Sequence, residues 1–224
     1  MEITLLHASD IHFGKHFDAV AAEAFSQFRE AHSLDLIVLS GDFTQRAKVR
    51  EYRAARVFLD GLQPIPVVVT PGNHDVPLYR LWERILAPHR KYRTYISESL
   101  NTVTRLPGAT IVSLDSTAPH SAIVNGRIRK SQLRFAAASF EAAVEGDIKI
   151  LVTHHNLSKA PEEQSGKVLP GFERCLSAFS EMGVELVLGG HLHRTFWASY
   201  PTVLPGAAST RSVSIVHTGT TTSK

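Results

Sequence analysis

Cysteine is nearly absent from this 224-residue chain, where Cys175 stands alone. A single thiol excludes an intrachain disulfide framework, and without thiolate ligands a structural zinc site is not expected. The stretch Gly171-Phe172-Glu173-Arg174-Cys175-Leu176 reads as a helix start, so the thiol is expected to be buried and structural. Long apolar runs are also missing. No segment approaches the ~20 residues of a membrane-spanning helix. Residues 1–7 have neither the basic start nor the apolar stretch of a signal peptide, so a reducing cytoplasm is the expected setting and a membrane is not an expected partner. Strong charge of one sign is lacking too. A net charge of +3 and a pI near 9.1 suit an anionic substrate but are too weak a footprint for nucleic acid to be favoured. There is no internal repeat, heptad run or low-complexity block. With 43% hydrophobic and 20% charged residues, the chain has material for one globular domain over residues 1–224.

Histidine, by contrast, is abundant, with twelve in the chain. Eight of them, His7, His12, His74, His154, His155, His191, His193 and His217, lie on or beside predicted strand ends. Short apolar runs at residues 3–7, 36–39, 67–69, 110–114, 148–152 and 186–188 read as strands buried on both faces. They alternate with helical periods at residues 17–31, 49–62, 132–143 and 172–182. Ser131 is the expected N-cap of the third helix, and Gly183 the stop of the last. This alternation predicts an α/β layered domain. Residues 76–100 break it. They read as a helical insertion with Arg80, Arg84, His89, Arg90, Lys91 and Arg93, either a basic cap over the site or a solvated face. Residues 199–212, rich in Pro, Gly, Ser and Ala, read as a loop.

A loop bearing His, Asp or Asn follows each of five predicted strands: Ser9-Asp10-Ile11-His12, Ser40-Gly41-Asp42, Pro71-Gly72-Asn73-His74-Asp75, Thr153-His154-His155-Asn156 and Gly189-Gly190-His191-Leu192-His193. Ligands of α/β sheets gather beyond the carboxyl ends of strands, so these loops are expected to converge. Asp-x-His in extended backbone would put both side chains on one side, where one ion takes both. Glycines before Asp42, Asn73 and His191 would permit positive φ and close backbone approach. Imidazole nitrogen with carboxylate oxygen suits Zn, Mn, Fe or Co.

In this order the motifs resemble the calcineurin-like metallophosphoesterase superfamily across nearly the whole chain. Gly41-Asp42-Phe43-Thr44-Gln45-Arg46 and Gly219-Thr220-Thr221-Thr222-Ser223 resemble its class III cyclic nucleotide phosphodiesterase branch. The resemblance implies a four-layer α-β-β-α sandwich with two packed mixed β-sheets. It further implies two divalent or trivalent metal ions. Asp10, His12, Asp42 and His193 would hold one, and Asp42, Asn73, His154 and His191 the other, with Asp42 bridging. His155 is the alternative to His154, whereas His7 and His217 are expected to be packed or supporting histidines. Related protein phosphatases carry an Asp just before the position of Arg46; Gln45 stands there in this chain. Relatives also continue past the Gly-Thr-Thr-Thr-Ser segment, whereas this chain stops at Lys224. Its second sheet is therefore expected to lack an edge strand or to borrow one, as a homodimer would allow.

The expected reaction is in-line attack of a metal-bridging hydroxide on a cyclic or small nucleotide phosphodiester. His74 would protonate the leaving oxygen, Asp75 would orient His74, and Asn73, His74 and Arg46 would contact substrate, with Arg46 as a phosphate clamp. An ordinary surface arginine is the competing reading of Arg46. Two other functions compete with this one: a DNA nuclease of the recombination-repair type, and a metal-bearing scaffold that binds protein partners without turnover.

Overall fold

The computed structural model describes residues 2–15, 17–121, 124–159, 168–203 and 210–222. Two sheets lie at its centre. Strands β1 (Leu5–Ala8), β2 (Leu36–Leu39) and β3 (Val67–Val69) form a wholly parallel three-stranded sheet. The second sheet is mixed and six-stranded. Its order is β4 (Thr102–Leu106), β5 (Ala109–Ser113), β6 (Ile148–Val152), β7 (Leu186–Gly189), β9 (Thr210–His217) and β8 (Phe196–Val203). The helices are α1 (Ala19–Ala31), α2 (Val49–Asp60), α3 (Leu81–Leu86), α4 (Arg90–Tyr95), α5 (Lys130–Glu141) and α6 (Phe172–Glu181).

Strand periodicity sorts the apolar side chains into layers. Along β2, Leu36 and Val38 join Val68, Ile111, Ile150, Val152 and Leu188 in a cluster between the sheets. Ile37 and Leu39 point the other way, into a cluster with Phe25, Tyr52, Leu59 and Tyr92 from α1, α2 and α4. Beyond the second sheet, Val112, Leu151, Val187 and Ile215 meet Phe140, Leu176 and Phe179 of α5 and α6. The result is four layers, as the family resemblance implied, except that the first sheet is parallel throughout.

Several expectations need correction. Residues 199–203 and 210–212, read as loop, belong to β8 and β9, while residues 204–209 lie outside the described region. Pro201 was the misleading signal, since proline argues against a central strand. Among the described residues β8 is an edge strand, a place where proline is tolerated. Helix α5 starts at Lys130 with Arg129 as its N-cap, whose N–H donates to Gln132 Oε1 (2.8 Å); Ser131 sits inside the first turn. Gly183, in contrast, takes the left-handed φ of 80° that ends α6, as expected. Cys175 is buried on that helix. Residues 76–100 form two short helices with different fates: α4 buries Tyr92 against α2, whereas α3 has no buried residue.

Candidate metal centre

The loops that leave β1 and β2 run side by side. Asp10 N–H donates to the carbonyl of Gly41 (3.0 Å), His12 N–H to that of Asp42 (2.9 Å) and Phe13 N–H to that of Phe43 (2.8 Å). On the second sheet, Gly190 N–H donates to the carbonyl of His154 (3.0 Å). The carboxyl-terminal ends of both sheets therefore open onto one place.

The side chains do not converge as extended backbone would have them. Asp10, His12, Asp42, His191 and His193 all adopt positive φ, between 52° and 74°. Asp10 and His12 thus meet through two left-handed residues rather than by strand alternation. The glycines divide the two expected roles. Gly41 has a φ of 98°, but a Cβ at Gly72 would collide with Asp42, and one at Gly190 with Ser9 and Asp10. The latter two serve close approach.

Two groups of donors result: Asp10, His12 and His193; and Asp10, Asp42 and His154. His193 Nε2 lies 3.1 Å from both Asp10 Oδ1 and His12 Nε2. Asp42 Oδ2 lies 3.8 Å from His12 Nε2 and 3.3 Å from His154 Nε2, which joins the two groups. Asn73 Oδ1 adds a neutral oxygen 3.2 Å from His154 Nε2. His191 stands next to this set. Its N–H donates to Asp10 Oδ2 (2.9 Å), and its ring packs on His154 and on His155, the alternative ligand, whose Nδ1 pairs with Ser116 Oγ (2.8 Å).

These contacts fit cations. His154 Nδ1 donates to the Ser40 carbonyl (2.8 Å), so in the neutral ring Nε2 is a bare acceptor facing the oxygens of Asp42 and Asn73. Asp10 Oδ1 is buried outside hydrogen-bond geometry. A cation satisfies such opposed acceptors at once. Without one, a proton must do so: burial alone would depress the His154 pKa, but the charge of Asp42 and its hydrogen bond drive it up to about 9. Burial likewise pushes the Asp42 carboxyl up, and the charge and hydrogen bond of His154 outweigh it and hold the group well below the usual range. Burial, followed by the charge of His154, pushes His191 down to about 4 and keeps it neutral, the form that binds metals.

His74 is anchored on two sides. Its N–H donates to Asp42 Oδ1 (2.7 Å), and its Nδ1 donates to the Gln45 carbonyl (2.9 Å). The main chain at position 45 thus orients the ring, with no acidic side chain needed there. Nε2 has no hydrogen-bond partner among the described residues. Asp75 does not touch this ring. Its carboxylate accepts from the N–H groups of Phe43, Thr44 and Gly72 and from Thr44 Oγ1, tying the third ligand loop to the second. Burial, then the charge of Asp42, pushes its pKa up to about 6. Arg46 is exposed beside this site, its guanidinium over the Tyr79 ring.

Sequence reasoning missed the supports. Thr220, Thr221 and Thr222 donate their hydroxyls in succession to the carbonyls of Asp10 (2.7 Å), Ser9 (2.8 Å) and Ile11 (2.5 Å). The run of three threonines was the available signal; Ser223 lies outside the described residues. His7 pairs with Ser40 Oγ (2.9 Å), and His217 Nδ1 donates to the Gly190 carbonyl (3.2 Å), so both brace ligand loops.

The family model described as calcineurin-like phosphoesterase matches residues 3–195. No curated protein matches the sequence. Among solved structures, the chain is similar to the purple acid phosphatase PPD1 of yellow lupin (Lupinus luteus), with a TM-score of 0.71 and 11% identity over 98% of this chain and 44% of that one. It thus spans less than half of that protein's length. A dimetal phosphatase from Danio rerio gives a TM-score of 0.62 and 14% identity, covering 99% and 88% of the two chains. A phosphopantetheinyl hydrolase from Mycobacterium tuberculosis gives 0.52 and 15%, covering 98% and 90%. At these identities the likeness is one of fold. Among the described residues no helix is long and apolar enough to cross a membrane.

Proposed function

Because the chain belongs to the calcineurin-like phosphoesterase family, we propose that it is a dinuclear metal-dependent phosphodiesterase acting on a cyclic or small nucleotide phosphodiester. The observation that carries this reading is that the two donor groups share Asp10 and also flank Asp42, whose Oδ2 lies near a histidine nitrogen of each. Asp10, His12, Asp42 and His193 would hold one ion, and Asp42, Asn73, His154 and His191 the other. Bound there, the two ions would activate water and neutralise charge on the phosphoryl oxygens.

The chain's own residues supply the rest. The Gln45 carbonyl fixes the Nδ1–H tautomer of His74, which leaves Nε2 as the atom that exchanges a proton with the leaving oxygen. Arg46 pairs with no carboxylate among the described residues, so its guanidinium is available to phosphate. The preference for a diester rests on the resemblance of residues 41–46 and 219–223 to the cyclic nucleotide branch. Manganese-loaded protein is therefore expected to hydrolyse bis(p-nitrophenyl) phosphate faster than the monoester, and cyclic nucleotides faster than single-stranded DNA. Faster cleavage of the monoester would make the protein a phosphatase, and preference for DNA would make it a nuclease.

A further inference from the structure

Beside the metal-facing residues lies a cavity of about 90 Å³ with two unlike walls. Gln45, Arg46, Asn73 and His74 make the polar wall; Val76, Leu78 and Tyr79 make the apolar one. The guanidinium of Arg46 lies 5.3 Å from the centroid of the Tyr79 ring, so the two walls meet at a cation–π contact. The apolar character continues along the chain into α3. Tyr79 is 74% exposed, Trp82 75% and Leu86 78%, and none of the six residues of α3 is buried. Single exposed apolar residues are ordinary, but a run of them adjoining a polar pocket marks a binding surface.

The pocket's surroundings identify the occupant. The phosphoryl group of a substrate at the metal centre would sit against Asn73, His74 and Arg46, and a substituent esterified to it on the His74 side would enter the cavity that Leu78 and Tyr79 line. A small polar alcohol would leave those side chains without a partner. A flat ring would cover them, because an aromatic platform stacks any π-face. We propose that Val76, Leu78 and Tyr79 form a ring-binding subsite that selects phosphoesters carrying an aryl or nucleobase substituent over those of small polar alcohols. This inference rests on the phosphoesterase reading above and adds to it the residues that would hold the substrate's ring. Arg46 links the two walls, clamping phosphate while leaning on the same tyrosine that carries the ring.

Calorimetric titration of manganese-loaded protein with phenylphosphonate and methylphosphonate tests the subsite without turnover. Covering about half of a phenyl group corresponds to roughly five- to tenfold tighter binding of the phenyl compound. Leu78 is 39% exposed and Tyr79 more so, hence the double variant Leu78→Ser, Tyr79→Ser is expected to fold. In it the preference should collapse to about one, whereas Tyr79→Phe, which keeps the platform, should retain it. Equal affinities in the wild-type protein, or a preference that survives in the double variant, would overturn the subsite and leave the phosphoesterase reading standing. Binding of neither phosphonate would contradict that reading and the subsite with it.

Discussion

Six non-glycine residues of the described backbone hold positive φ, and five are Asp10, His12, Asp42, His191 and His193. Each costs about 1–2 kcal/mol relative to the right-handed region. Such concentrated strain lasts only where surrounding contacts over-determine it. Here those contacts are the paired loops after β1 and β2, and the strain places ligand atoms where strand alternation could not. The identities of these residues were legible in the sequence, because His, Asp and Asn are the groups that bind metal and each followed a strand. Their left-handed backbone was not, since Asp and His at a loop position imply no particular φ. The same distinction applies to Asp75, whose side chain was expected to serve His74 and instead accepts main-chain N–H groups of neighbouring loops. His74 keeps an Nε2 with no hydrogen-bond partner among the described residues, the atom placed to exchange a proton. His74→Ala is expected to keep its metal, measured by elemental analysis, while kcat for the diester falls about 10²-fold or more. Loss of metal in that variant would make His74 a ligand.

At the scale of elements, the C-terminal threonines do for the first ligand loop what no side chain within it can. Three hydroxyls bond to three consecutive carbonyls, at Ser9, Asp10 and Ile11, and so hold the left-handed turn from outside. Groups that orient ligands commonly contribute 10–100-fold to metal affinity. The double variant Thr220→Val, Thr221→Val is therefore expected to bind manganese about tenfold more weakly by calorimetry. Unchanged affinity would mean the hydroxyls only fasten the terminus. The strands themselves were readable where both faces are buried, as in β2, whose four residues are all apolar and buried. β4 escaped notice because its sequence Thr-Val-Thr-Arg-Leu is half polar and only partly buried. It is an edge strand, joined to β5 through Pro107-Gly108, where Gly108 has a φ of 85°. The insertion at 76–100 divides in the same physical terms. α4 is held by burial of Tyr92, and α3 is held at its start, where Arg80 donates to the Ala47 carbonyl (2.7 Å) and pairs with Glu83.

For the whole molecule, the two sheets matter because ligands from both must meet, which makes metal binding and folding one equilibrium. His154 sits at the junction, buried among residues of both sheets. Its pKa in the metal-free protein, about 9, lies above the unfolded value of 6.5. A raised histidine pKa contributes stability that is fully present below pH 6.5 and is lost as pH rises through 9. Urea midpoints in chelator should therefore fall between pH 6.5 and 9. Over the same range manganese affinity should rise, because the ion displaces that proton. Flat midpoints would show that His154 carries no extra proton in the metal-free protein.

The proposed role of the Asp42 carboxylate is to join two metal positions into a hydrolytic centre. It is tested most directly by counting manganese ions per chain in the wild-type protein and in Asp42→Asn, with bis(p-nitrophenyl) phosphate hydrolysis measured on the same samples. Two ions and turnover are expected in the wild type, and loss of both the paired occupancy and the turnover in the variant. A variant that keeps two ions and full hydrolysis would contradict it.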